Sequence, residues 1–209
     1  CDHAGGLPEA VRLIVSANGG KPVPFYVNPG MFLSRGLKMP DGVVLPAESV
    51  MEPALFERRG AAVVNSPEPR AIMEQMFYLS GEIPRVTPYE RGLPPHVKLS
   101  PDGKSWEPDP LILDERYVAV HVKGKGVVVF TACSHAGVIN VLKDARNTFG
   151  DVPLHAVMGG FHLSGAEVEA IIPATIRDFG AFGLKRIVPC HCTGWRALHA
   201  LAQVYGEES

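Results

Sequence analysis

Along the first twenty positions the apolar residues Leu7, Val11, Leu13, Ile14 and Val15 recur at roughly helical spacing. Pro8 stands where a first-turn proline is tolerated, and Gly19-Gly20 supplies a stop. The pattern predicts an amphipathic helix between Gly5 and Asn18. Short apolar runs at Pro24 to Asn28 and Gly42 to Leu45 read as strands, followed by a helix from Val50 to Arg59 and strands at Ala61 to Val64 and Phe77 to Ser80. From 81 to 110 seven prolines, several glycines and many charges break any period, so this stretch reads as a long proline-rich surface insertion of the kind that lines sites. Beyond it Tyr117 to Val122 and Gly126 to Thr131, joined by Lys123-Gly124-Lys125, predict an antiparallel hairpin. The chain then alternates: a helix from His135 to about Phe149, a strand Leu154 to Met158, a helix Ala166 to Phe179, a strand Arg186 to Pro189 and a helix Gly194 to Tyr205. With no internal repeat or linker, 1–209 reads as a single layered α/β domain carrying the 81–110 insertion.

Composition changes this picture mainly by exclusion. Twenty basic against 22 acidic side chains, a net charge of −2, give no polybasic field, so nucleic acid and anionic membrane are discounted as partners and a small-molecule substrate is expected. No apolar run approaches the roughly 20 residues of a membrane span and no leader pattern is present, so a cytoplasmic setting is expected. The four cysteines, Cys1, Cys133, Cys190 and Cys192, have neither the density nor the spacing of a disulfide scaffold and read as reduced thiols. Cys133-x-His135 and Cys190-His191-Cys192 also lack the x₂ to x₄ separation usual in structural zinc sites. The opening Cys1-Asp2-His3, with no lead-in strand, reads as part of something longer.

Candidate chemistry lies with the histidines. Three of the eight follow predicted strands directly: His135 in Cys133-Ser134-His135-Ala136-Gly137, His162 in Gly159-Gly160-Phe161-His162, and His191 in Cys190-His191-Cys192-Thr193-Gly194. In a layered α/β protein the loops at strand carboxyl ends gather along one edge, where ligands bind. His3, within Asp2-His3-Ala4-Gly5-Gly6, has the same turn character. Neutral imidazole and carboxylate are usual ligands of zinc and related divalent ions. Ser134 and Thr193 are expected as helix N-caps, and a helix amino terminus beside His135 and His191 disfavours imidazolium. His96, His121, His155 and His199 receive no role.

These motifs resemble the metallo-β-lactamase superfamily, whose signature reads His-x-His-x-Asp-His; Asp2-His3-Ala4-Gly5-Gly6-Leu7 is similar to the tail of that signature. Gly81-Glu82-Ile83-Pro84-Arg85 and the three histidine loops resemble the branch containing dihydropterin-ribofuranosylaminobenzene phosphate synthases. The resemblance implies an αββα sandwich lacking its first strands, truncated within the first motif. It implies Asp2, His3 and His191 at a second metal site, His135 at the first, and His162 where most members carry a bridging aspartate. An imidazole nitrogen, with one lone pair, cannot bridge two ions, so the count stays at one or two, zinc being expected, with manganese or iron as alternatives. Asp2 is the candidate to orient or deprotonate a metal-bound water, and Arg85, Tyr89 and Glu90 are candidates to hold an anionic, phosphate-bearing substrate. The implied activity is metal-dependent hydrolysis, with a dihydropterin-arylamine transferase and an inactive fragment or binding remnant as the other readings.

Overall fold

A computed structural model describes residues 4–48 and 52–206; Asp2, His3 and the expected helix start at Val50 lie outside the described residues. The chain runs α1 (Leu7–Ala17), β1 (Val23–Val27), β2 (Arg35–Lys38), β3 (Val44–Pro46), α2 (Pro53–Arg58), β4 (Ala61–Asn65), β5 (Arg70–Ile72) and β6 (Phe77–Leu79). It continues through β7 (His96–Leu99), β8 (Trp106–Pro108), β9 (Val118–Val122), β10 (Gly126–Thr131), α3 (Val138–Phe149), β11 (Leu154–Gly160), α4 (Ile172–Phe179), β12 (Arg186–Cys190) and α5 (Trp195–Tyr205). Contacts divide these elements into two compact units, Cys1–Pro67 with Pro94–Pro110, and Glu68–Leu93 with Leu111–Ser209.

In the first unit β1 and β4 pair in parallel, and α1 and α2 enclose a small core with them. Phe56 is fully buried there, its ring 4.8 Å from that of Phe25, and Val11 points in from the apolar stripe of α1. Gly60 ends the α2 turn at φ +93°, pressed so closely on Val15 that an added Cβ would stand 2.9 Å from both methyls. A separate antiparallel sheet orders β3-β2-β7-β8, with Arg35 of β2 paired to Asp109 at 2.7 Å. Two of those strands come from the stretch expected as an irregular insertion. The alternation in His96–Leu99 is only four residues long and follows Pro94-Pro95, which masks it in the sequence. The turn between β7 and β8 is tied by Ser100 Oγ donating to Asp102 at 2.7 Å.

The second unit carries a six-stranded sheet ordered β12-β11-β10-β9-β6-β5. The Lys123-Gly124-Lys125 turn joins β9 to β10 in the expected antiparallel register, Val127 opposite His121 and Val129 opposite Ala119. β10, β11 and β12 are then parallel, as connection through α3 and α4 requires. Alternation along the strands sends Val127, Val129, Val157 and Ile187 into one core with Val138, Leu142, Ile176, Phe179 and Leu201 from α3, α4 and α5. Phe130, Met158 and Val188, which stand side by side in the register, occupy the opposite face. α4 begins at Ile172 rather than Ala166: a turn with Val168 N–H on Gly165 O and a short 3₁₀ segment precede it, and Pro173 sits in its first turn.

Candidate metal centre

β6 and β10 are each antiparallel to β9, and β10, β11 and β12 run together, so the carboxyl ends of β6, β10, β11 and β12 share one edge of the sheet and β9 starts from it. Topology alone therefore brings five segments to this edge: 80–93 after β6, 111–117 before β9, and the three loops after β10, β11 and β12. The three loops are the ones that carry His135, His162 and His191.

Each of these loops also contains a non-glycine residue in the left-handed region: Ser134 at φ 52°, His162 at φ 49° and His191 at φ 49°. Such conformations cost free energy in an L-residue and persist where the surroundings impose them. The turn after β10 is imposed by Glu115. Its carboxylate accepts the His135 N–H at 2.8 Å and the Ala136 N–H at 2.6 Å, while Gly137 N–H closes on Ser134 O. Burial pushes the Glu115 carboxyl above its ordinary range, and the two backbone donors and the Arg85 charge oppose that shift. After β11, Phe161 N–H donates to Thr193 Oγ1 at 3.1 Å, and the Thr193 hydroxyl donates to Cys190 O at 2.8 Å, which couples the β11 and β12 loops.

The expected N-caps are corrected by this geometry. The N-cap positions of α3 and α5 are Gly137 and Gly194, neither of which has a capping side chain. The Ser134 hydroxyl is instead 2.9 Å from Thr131 Oγ1, and Thr193 serves the two loops just described. The first turn of α3 is capped from afar by Glu90, whose oxygens accept Ile139 N–H at 2.9 Å and Asn140 N–H at 2.8 Å. Glu90 lies directly over Gly137, where an added Cβ would overlap its side chain. Burial is the largest influence on this carboxyl and lifts it to about 7 against those donors. Asn140, fully buried, completes the joint: its Oδ1 accepts Val86 N–H at 3.0 Å and Thr87 N–H at 2.9 Å, and its Nδ2 donates to Ala136 O at 2.8 Å and Glu90 O at 3.2 Å.

The remaining expected substrate contacts are placed as follows. Arg85 donates to Ile83 O and Leu111 O, both at 2.6 Å, so its guanidinium spans the 80–93 and 111–117 segments; burial lowers its pKa, opposed chiefly by Glu115. Tyr89 donates its hydroxyl to Asp178 at 2.8 Å, and burial followed by that bond raises its pKa well beyond the usual phenol range. Tyr89 and Glu90 line a small, solvent-open cleft with Ser134, His135, Phe161 and His162. Segment 81–93 is thus not a solvated loop: Ile83, Thr87 and Glu90 are buried in the larger unit.

His135 and His162 meet in this cleft, ring centroids 4.6 Å apart and nearly perpendicular. His191 is exposed, on the first residue after β12. Set against the expectation from spacing, the cysteines join the site: Cys133 Sγ lies 3.3 Å from His162 Nδ1 and 2.7 Å from Cys192 Sγ. These three donor atoms fall within 4.8 Å of one another, a separation that one ion with bonds of about 2.0–2.3 Å can span after small side-chain movement, and two sulfurs with an imidazole are a donor set that suits zinc. Close contact with Cys133, and then His162, holds the Cys192 thiol well below its ordinary range against the opposing effect of burial. The sequence signal for this convergence was Gly159-Gly160. A Cβ on Gly160 would stand 2.7 Å from Cys192 Sγ and 3.2 Å from Cys133 Cα, so the missing side chain of the middle strand is what lets the flanking loops close over it.

No protein-family model matches the chain. Over 207 residues, 99% of the chain, it is 28% identical to a 7,8-dihydropterin-6-methyl-4-(β-D-ribofuranosyl)-aminobenzene-5′-phosphate synthase of Methanocaldococcus jannaschii, of which it spans 68%. An uncharacterized protein of the same organism is 33% identical over 138 residues, 64% of this chain and 48% of that protein. Among solved structures, a metal-dependent hydrolase of the β-lactamase superfamily superposes with a TM-score of 0.68 at 22% identity, over 90% of this chain and 66% of that one. The fold is metallo-β-lactamase-like. No helix among the described residues is long and apolar enough to cross a membrane.

Proposed function

We propose that the chain is that of a metal-dependent hydrolase that uses a metal-activated water on a small, phosphate-bearing substrate. The observation that carries this reading is the delivery of His135, His162 and His191 by three consecutive parallel strands to one sheet edge, with one non-glycine residue in the left-handed region in each loop. Asp2 and His3 belong to the same proposed ligand set. A divalent ion bound by these residues would lower the pKa of a bound water and polarise a phosphoryl oxygen. The chain's own contribution is positional. Glu115 fixes the backbone of His135, Glu90 and Asn140 fix the start of α3 beneath it, and Arg85 ties together the two segments that flank the turn. Tyr89, with its hydroxyl held protonated and directed by Asp178, stands at the cleft as the residue that meets substrate.

Metal analysis of the zinc- or manganese-loaded protein, paired with release of nitrophenol from bis(nitrophenyl) phosphate, tests the reading. Near-stoichiometric metal that is lost in His135→Ala and in His191→Ala, together with metal-dependent turnover, is the expected result. Metal content unchanged by both substitutions would overturn it. A second reading, condensation of a dihydropterin with an arylamine ribofuranosyl phosphate, is favoured by the 207-residue likeness to the synthase. Metal-dependent pterin-arylamine coupling without phosphodiester turnover would select it.

A further inference from the structure

The sulfur atoms of Cys133 and Cys192 belong to residues 59 positions apart, yet they are 2.7 Å from each other. A disulfide needs about 2.05 Å, whereas two thiolates on one tetrahedral zinc stand roughly 3.7 Å apart, given bonds of about 2.3 Å. The pair is nearer to the covalent separation than to the coordinating one: closing takes about 0.6 Å and opening about 1 Å. The two residues follow β10 and β12, which flank β11, and Gly160 at the end of β11 leaves the space in which they meet. We infer that Cys133 and Cys192 are an oxidisable dithiol whose disulfide staples the carboxyl ends of β10 and β12 across Gly160.

The oxidant class is a small-molecule disulfide such as oxidised glutathione. Cys192, half-buried against 3% exposure for Cys133, undergoes the first exchange: its sulfur attacks the glutathione disulfide, forms a mixed disulfide and releases one glutathione thiolate. Cys133 sulfur then attacks the Cys192 sulfur and expels the second. Both thiol protons leave on the two glutathione products, so one glutathione disulfide is reduced for each protein disulfide formed. Cys190 is exposed and outside the cluster of Cys133, His162 and Cys192, which makes it the internal control.

The test uses the whole chain, stripped of metal by chelation and incubated with oxidised glutathione. Expected are the loss of two of its four thiols and a tryptic species joining peptide 126–143 to peptide 187–196. Both changes are reversed by dithiothreitol and retained in Cys190→Ser. Cys133→Ser should show only a glutathione adduct; if that variant fails to fold, the cross-link in Cys190→Ser is decisive alone. The inference is overturned by four surviving thiols, by glutathione adducts without a cross-link, or by a link between Cys190 and Cys192. It is equally overturned if the stripped protein forms no cross-link and cobalt gives a sulfur-to-metal absorption band lost in both Cys133→Ser and Cys192→Ser, since the pair would then be coordinating.

Discussion

Asn140→Ala removes a neutral side chain all four of whose hydrogen-bonding positions are used inside the protein, so its consequence is free of pH effects on the residue itself. The substitution leaves Val86 N–H, Thr87 N–H, Ala136 O and Glu90 O without their partner. Water can reach the Val86 amide, because that residue is exposed, whereas Thr87, Ala136 and Glu90 are buried. Two or three dry polar groups at about 1–3 kcal/mol each, reduced by local relaxation, place the loss at roughly 3–5 kcal/mol, in the tail of point-mutant effects. Urea unfolding followed by far-ultraviolet circular dichroism reads this value. The 86–90 segment should also lose amide-exchange protection at Thr87 before the global transition, since Asn140 is the joint that holds it to α3. A loss below about 1 kcal/mol, with Thr87 protection intact, would refute the accounting.

Glu90, with its carboxyl near 7 in the folded protein against 4.5 ordinarily, binds more protons folded than unfolded between those values. Its stabilising contribution is complete below about 4.5 and is lost as pH rises through about 7, a change on the order of 3 kcal/mol that Glu90→Gln should flatten in denaturant titrations run across pH 4.5–8. Gly160→Ala should destabilise by about 1–3 kcal/mol through overpacking against Ala132 O and Cys192 Sγ, and should also abolish any Cys133–Cys192 cross-link in the peptide map. In the smaller unit Phe56→Ala removes the fully buried ring at the centre of its core and should cost about 3–5 kcal/mol, read as a fall in melting temperature.

The elements visible in the sequence are those whose signal is local. The Lys123-Gly124-Lys125 hairpin, the strands at 154 and 186 and the helices ending at Phe149 and Tyr205 have a period and a stop that neighbouring residues supply. β7 and β8 were hidden because they are four and three residues long and lie among prolines, and their pairing partners are each other and the distant β2. The histidine loops were legible because glycine, serine and threonine punctuate each strand end. Glu115 was not: it lies 20 residues from the His135 amide that it holds, and no spacing rule links them. The approach of Cys133 to Cys192 is hidden for the same reason, since motif spacing sees neighbours in sequence and the two meet through the strand order. Arg85 and Glu90 lie in the segment after β6 at the histidine edge, and their polar groups are taken up by backbone groups.

Because β10, β11 and β12 run parallel to one another beside the antiparallel β9, the two rims of the larger sheet are unequal. On one rim gather the histidines, the thiols, the buried acids and the cleft; on the other lie the tight connections at 73–76, 123–125, 150–153 and 183–185. A change of loop length on the far rim leaves every reactive group where it was, whereas a single added residue after β10, β11 or β12 rotates an imidazole out of reach. Drift in this lineage should therefore show as insertions confined to one border, with the opposing border keeping its register residue for residue.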